Sequence, residues 1–340
     1  MTSPLQFDNP GAVITGPNEV EFTTEKIAAT PGPGKVLVKN CYSLISPGTE
    51  LALFQHTHIG FGDPESSIAR YPNRPGYAAV GRVRAVGEGV SSLAEGDWVF
   101  HPGGHRAYAL LDAVKNIVLP LPAGADPKLA PFARMAQIAS TALQVSAAAP
   151  GASVAVLGLG LIGNLAAQLF QQRGCDVLGI TSSAARCTIA ERCGLRCSTA
   201  AAGTEIAAVR SAFKGNGAAT VIEATGAPQK VATALEMTAR GGEVILLGST
   251  RGKVELDVYK LIHRPGITVR GAHESVLAIA GGDERKRVLL KQSLEEIAAG
   301  RLVVAPLLSG IMDYRELRAA YLRLGNHPSD ILTIALQWPE

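Results

Sequence analysis

The apolar run Val154-Ala155-Val156-Leu157 leads straight into Gly158-Leu159-Gly160-Leu161-Ile162-Gly163, and 164–173 then reads as a helix. Three glycines at this spacing are a weak signal alone, but between a strand and a helix they leave few backbones open. Gly158 permits a tight turn, Gly160 lets the main chain approach a pyrophosphate, and Gly163 lets the helix lie close on the strand. The helix N-terminus then faces the phosphate charge, and Leu161 and Ile162 of the turn count among the expected cofactor contacts. A glycine-rich turn without a ligand is the competing reading, and the strand-turn-helix context weighs against it.

Downstream, β-branched and apolar runs at 153–157, 177–181, 220–223 and 243–247 alternate with helical stretches. Such alternation predicts a parallel sheet wound by crossovers, an α/β fold of the Rossmann kind. Up to about residue 131 the texture differs: it is rich in Val, Gly and Pro, with short runs such as Val36-Leu37-Val38, and reads as many-stranded β. A helix over 285–299 precedes the alternating stretch 331–336, which needs a pairing partner and is expected to return to the β-rich region. A chain of 340 residues is long enough for two cores. The expected organisation is a β-rich domain of 1–134 plus 276–340, with a dinucleotide-binding domain, 135–275, inserted in it.

About twenty residues past the first glycine, turns that bind NAD place an acid for the ribose 2′-hydroxyl. Here the chain reads Gly179-Ile180-Thr181-Ser182-Ser183-Ala184-Ala185-Arg186, with no acid. The hydroxyls of Thr181, Ser182 and Ser183 with the guanidinium of Arg186 suit a 2′-phosphate, which an acid repels and arginine grips by paired hydrogen bonds. NADP(H) is therefore expected over NAD(H), with a solvated helix residue as the simpler reading of Arg186.

Other partners are disfavoured. The net charge is +3 and the basic residues are scattered, which gives no footprint for nucleic acid. No apolar run approaches the ~20 residues needed to cross a bilayer. The opening stretch MTSPLQFDNPGAV shows no export or transit pattern, so a cytoplasmic protein acting on a small molecule is expected. Cys41, Cys175, Cys187, Cys193 and Cys197 form no CxxC pair and read as reduced packing residues.

Several further motifs carry a resemblance over nearly the whole length: Ile45-Ser46-Pro47-Gly48-Thr49-Glu50, Pro75-Gly76-Tyr77-Ala78-Ala79-Val80-Gly81, Gly96-Asp97-Trp98-Val99, Ser140-Thr141-Ala142, Ala224-Thr225-Gly226 and Gly241-Gly242-Glu243-Val244. With the glycine turn they resemble the medium-chain dehydrogenase/reductase superfamily, the alcohol dehydrogenase-like proteins. The resemblance implies a GroES-like catalytic domain around the Rossmann domain. It also implies nicotinamide contacts at Thr141 and Leu247-Gly248-Ser249, and a cofactor contact at Thr225. Zinc-dependent members carry a cysteine, a histidine and a third ligand where this chain has Pro47, Tyr77 with Ala78, and Gln137, so a zinc-free member is expected. The family's four-cysteine lobe, which would fall near 101–108, is also missing. His56, His58, His101 and His105 could make a different metal site, but hydrogen-bonded histidines are the simpler reading.

Without a metal, the charge that develops during hydride transfer must be met by hydrogen bonds or a proton donor. Tyr77 stands where the zinc-binding histidine would be and is the expected catalytic donor, against the alternative of a packed plug. Thr49 matches the hydroxyl of the family's proton relay, though Ala52 replaces the histidine that would continue it. Glu50 is expected to be structural, paired with an arginine. The polar loop 56–71 is expected to border the substrate, with His58 and Phe61 as contacts. Zinc-free relatives point to NADPH-dependent reduction of an activated C=C, or of a related C=O or C=N. A zinc-free alcohol or polyol dehydrogenase and an NADPH-binding sensor without turnover are the alternatives. The apolar stretch 267–271 reads as a sheet edge through which a homodimer would form.

Overall fold

The computed structural model describes residues 6–326 and 329–339; Met1–Leu5, part of the stretch read for a targeting signal, lie outside the described residues. By contacts the chain forms two compact units. One comprises Met1–Arg134, Leu294–Arg301 and Leu308–Glu340, the other Met135–Ser293 and Leu302–Leu307. Residues 276–293, assigned from the sequence to the β-rich domain, group with the second unit.

The first unit opens with an antiparallel hairpin, β1 (Gln6–Gly16) and β2 (Glu19–Ala28). Its hub is β3 (Lys35–Leu44), followed at once by helix α1 (Pro47–Phe54). That helix is an element the many-stranded β reading of this region did not anticipate. Its signals were present, since proline at a first helical position and Glu50 in the first turn both favour a helix start. Strands β4 (Ala79–Val86), β5 (Trp98–His101), β6 (Tyr108–Asp112) and β7 (Leu119–Pro120) complete the N-terminal part. Helix α2 (Phe132–Ala139) then leads into the second unit.

The second unit runs α3 (Thr141–Val145), β8 (Ser153–Leu157), α4 (Leu161–Gln172), β9 (Asp176–Thr181), α5 (Ala184–Arg192) and β10 (Cys197–Thr199). It continues with α6 (Glu205–Ala212), β11 (Ala218–Glu223), α7 (Lys230–Met237), β12 (Thr238–Leu246), β13 (Thr268–Gly271), α8 (Val276–Ile279) and α9 (Gly282–Ala298), which from Leu294 on groups with the first unit. Its six strands are all parallel in the order β10-β9-β8-β11-β12-β13. The order reverses between β8 and β11, and ligands of open parallel sheets bind outside the carboxyl ends of the strands at such a point. Strands buried on both faces read as continuous apolar runs, as Val154–Leu157 does. Leu157, Ile180, Val221, Val244 and Leu235 pack in the core beside them.

The chain returns to the first unit with β14 (Leu308–Asp313), α10 (Leu317–Gly325) and β15 (Thr333–Gln337). β4 takes one edge of β3, and the other is shared, with Lys35–Lys39 on β6 and Tyr42–Leu44 on β15. The alternating C-terminal stretch thus finds its partner in the N-terminal β region. Leu317, Ala320, Tyr321 and Leu324 form the buried stripe of α10 and pack with Phe54, Leu51 and Ile45. Among the described residues no helix is long and apolar enough to cross a membrane.

One cysteine expectation is corrected. Cys187 on α5 and Cys197 on β10 form a disulfide, their Cα atoms 5.7 Å apart. The crossover from α5 to the sheet edge creates this contact, so spacing along the chain is silent about it. Cys175 and Cys193 keep free thiols, and burial pushes the latter's pKa up to about 11.

Candidate functional site

The glycine turn of the second unit has the geometry its three positions require. Gly158 sits at φ +97°, a left-handed conformation that costs glycine little. A Cβ on Gly163 would lie 1.9 Å from the Gly158 carbonyl oxygen and 3.0 Å from Ala224 Cβ, so only glycine lets α4 come this close. Gly160 differs: it has an ordinary φ of −70°, and a Cβ there would meet nothing within 4 Å. The protein itself gives no reason for glycine at that position, whereas a pyrophosphate lying over the backbone would.

Beside this turn lies 224–226, for a Cβ on Gly158 would meet Thr225 at 2.7 Å. Glu223, which ends β11 and which sequence reasoning missed, organises the region. Its buried carboxylate accepts from Thr225 N at 2.7 Å, Gly226 N at 3.2 Å and Thr250 Oγ1 at 3.3 Å, and also from the Thr225 hydroxyl. Its main-chain carbonyl accepts from Leu247 N and Gly248 N. A buried acid directly before a turn was the available signal. Thr141 is fully buried, its hydroxyl 2.7 Å from the carbonyls of Ile138 and Ala272. Ser249 is exposed and Leu247 buried.

At the end of β9, Thr181 Oγ1 accepts from Ser183 N, and Ser183 caps α5 by accepting from Arg186 N, both at 3.2 Å. Ser182 is exposed. Arg186 is half-buried, and its Nε has no hydrogen-bond partner among the described residues. Burial also lowers its pKa from the ordinary arginine value. A buried guanidinium N–H without an acceptor is costly unless a ligand supplies one. This cradle therefore fits a nicotinamide dinucleotide.

In the first unit, β3, α1 and the segment before β4 bring Ser46, Thr49 and Tyr77 together. The Tyr77 hydroxyl donates to Ser46 Oγ. Burial raises the Tyr77 pKa above the ordinary 10 and the charge of Glu50 adds to this, while hydrogen bonds with Ser46 and Thr49 and the charge of Arg134 pull it back. Arg134 lies over the Tyr77 ring, 5.1 Å from its centroid.

Among the described residues Glu50 pairs with His105 and with no arginine, contrary to expectation. Oε1 accepts from Ser46 N at 2.8 Å. Oε2 accepts from His105 Nε2 at 2.8 Å and from the Tyr321 hydroxyl at 2.6 Å. His105 Nδ1 meets Ser43 Oγ at 2.8 Å, and Ser43 Oγ accepts from Trp338 Nε1 at 2.9 Å. These groups are all buried, so the carboxylate is served by three donors where the sequence suggested one cation. His101 is also buried, its Nε2 2.8 Å from Asn40 Oδ1, and burial lowers its pKa to about 4.

The two expected substrate residues do local work. His58 Nδ1 accepts from Gly60 N and caps the short 3-10 turn Ile59–Gly62. Phe61 stacks on His56, centroids 4.0 Å apart, and lies 4.9 Å from Tyr71. Pro47, Tyr77 with Ala78, and Gln137, the positions expected from the resemblance to correspond to zinc ligands, carry no thiolate, imidazole or carboxylate. Among the described residues no group of three or more His, Cys, Asp or Glu converges to hold a metal.

Residues 162–285 match the family model described as zinc-binding dehydrogenase. The alcohol dehydrogenase of Moraxella sp. (strain TAE123) is 25% identical, with 84% of this chain and 89% of that protein covered. D-guloside 3-dehydrogenase of Shigella flexneri is 32% identical over 50% of this chain and 49% of its own length. The crystal structure of an Escherichia coli oxidoreductase/dehydrogenase of unknown specificity superposes with a TM-score of 0.84 at 20% identity, covering 98% of this chain and 100% of that one. With the glycine turn, the parallel sheet and the separate β-rich sheet, these likenesses support the medium-chain dehydrogenase/reductase superfamily of oxidoreductases, the family match itself being confined to residues 162–285.

Proposed function

We propose that the chain is an NADP(H)-dependent dehydrogenase that interconverts a small secondary alcohol or polyol and its carbonyl without a metal, with Tyr77 as the proton-transferring residue. The observation that carries the reading is the 158–163 turn, closed by Gly163 yet open at Gly160. Gly158, Gly160, Leu161, Ile162 and Gly163 would hold the pyrophosphate. Thr181, Ser182, Ser183 and Arg186 would hold the 2′-phosphate. Thr141, Thr225, Leu247, Gly248 and Ser249 would border the nicotinamide. When bound, the nicotinamide supplies or accepts the hydride. The alcohol side of the reading is supported by the relatives, an alcohol dehydrogenase and a D-guloside 3-dehydrogenase.

Tyr77 fits the proton role. Its raised pKa keeps the phenol neutral at ordinary pH, so it donates only when a stronger base, the alkoxide-like oxygen of a carbonyl receiving hydride, forms beside it. Ser46 and Thr49 stabilise the phenolate that remains, as does Arg134. Reduction of an activated C=C is the second reading, favoured by a phenol at the position where zinc-dependent relatives bind their metal. A homodimer through β13, whose four residues are all exposed at the sheet edge, belongs to the same proposal.

Fluorescence titration with NADPH and NADH tests the cofactor, and tighter NADH binding overturns that part. Alcohols and polyols with NADP, run against enones with NADPH, choose between the substrate classes. On a substrate so found, Tyr77→Phe should lower turnover about 10²–10⁴-fold, as loss of a general acid does. Unchanged turnover removes Tyr77 from the role. One tightly held zinc ion per subunit in the purified protein overturns the metal-free mechanism.

A further inference from the structure

The first unit holds a cavity of ≈ 530 Å³ that shares no lining residue with the Tyr77 cluster. Its walls come from β3, β4, β5 and the end of β15, and three of its lining residues are aromatic: Tyr42, Trp98 and Trp338. The Arg82 guanidinium lies over the Trp98 ring, 4.5 Å from its centroid, and Nη1 donates to the Gly96 carbonyl at 3.1 Å. That bond holds the guanidinium on the indole. The stack offers a planar, weakly hydrated surface against which another flat ring lies well.

The charges of the lining are unequal. Lys39, Arg82, Arg84 and Lys128 face Glu95 and Asp126. Arg84 is 3.9 Å from Glu95, and Asp126 Oδ1 accepts from the Lys128 main-chain N at 2.9 Å. No ion pair engages the ammonium groups of Lys39 or Lys128 among the described residues. Aromatic walls with unmatched cations select a ligand that is both flat and negatively charged. The volume lies within the roughly 300–1,000 Å³ usual for small-molecule sites.

We propose that this cavity binds a small planar aromatic anion, an aromatic carboxylate or a mononucleotide, with its ring against the Arg82–Trp98 stack and its charge met by Lys39 and Lys128. The site is joined to the proposed active-site network. Trp338 donates to Ser43, which meets His105, which donates to Glu50, in steps of 2.9, 2.8 and 2.8 Å. An occupant that shifts Trp338 thereby acts on the far end of the chain that ends beside Tyr77.

The chain has two tryptophans, and both line this cavity, so indole fluorescence reports on it directly. The full-length protein is titrated with two pairs of probes: 4-hydroxybenzoate against neutral 4-hydroxybenzamide, and adenosine monophosphate against adenosine. The expected result is saturable quenching by one or both anions, about tenfold weaker for the neutral partner. The same response should weaken about tenfold in Lys39→Ala/Lys128→Ala, a double change whose unaltered melting temperature shows that it folds. Saturation by 4-hydroxybenzoate alone identifies an aromatic acid, and by adenosine monophosphate alone a nucleotide. Quenching that is linear, equal for charged and neutral partners, or unchanged in the double variant overturns the proposal.

Discussion

The two units solve the problem of placing polar chemistry in opposite ways. In the parallel-sheet unit the decisive groups are main-chain: a left-handed Gly158, a Gly163 without room for a methyl group, and a Gly160 with nothing beside it. In the β-rich unit they are side chains, gathered around Glu50 from β3, α1, α10 and the C-terminal end. A backbone site tolerates change in its neighbours but not at its glycines. A side-chain network has many members, each of which leaves another unpaired when removed.

The largest effect expected from this contrast is at Glu50. Glu50→Ala leaves the His105 and Tyr321 donors and the Ser46 N–H buried without an acceptor and should cost about 3–5 kcal/mol in urea unfolding. Nucleotide binding by the folded fraction should be unchanged; a parallel loss would break the separation drawn between the units.

Next comes acid. His101 has its folded pKa near 4 against 6.5 for an ordinary histidine, so the unfolded chain takes up its proton first as the pH falls. The stability it contributes is complete above 6.5 and is lost down to about 4, and the shift corresponds to about 3 kcal/mol. His101→Gln should flatten that part of the stability–pH profile, and an unchanged profile assigns the acid sensitivity elsewhere.

Arg186→Gln is expected to weaken NADPH about 10–100-fold, the worth of a charged hydrogen bond, and to leave NADH as it was. Equal weakening of both would make Arg186 a structural residue of α5.

The two glycine substitutions have the smallest effects on stability and sharpen the comparison most. Gly163→Ala forces α4 off Gly158 and should cost about 1–3 kcal/mol. Gly160→Ala should leave the melting temperature alone while weakening the nucleotide about tenfold. If Gly160→Ala binds nucleotide normally, the open space beside it is not a phosphate cradle.

These differences explain what could be read in advance. The glycine turn, the strands at 153–157 and 177–181 and the return of the C-terminal stretch to the β-rich region were all legible, because they depend on local spacing and on apolar periodicity, whereas its partner β3 was not. Helix α1 was passed over because Val-, Gly- and Pro-rich surroundings masked its start signals. Glu50 was expected to meet an arginine, yet its partners lie 55 and 271 residues away in the chain. The Cys187–Cys197 bond likewise depends on where a crossover helix lands.

By itself the order of residues determined the kind of fold and the dinucleotide turn, because φ, the absence of a Cβ and strand alternation are properties of a residue and its near neighbours. Which donors meet Glu50, that Arg186 Nε has no partner among the described residues, and that both tryptophans line one cavity were decided only by tertiary structure. A buried polar group takes whatever partner the packing brings within 3 Å or so, and that packing joins segments far apart in the chain.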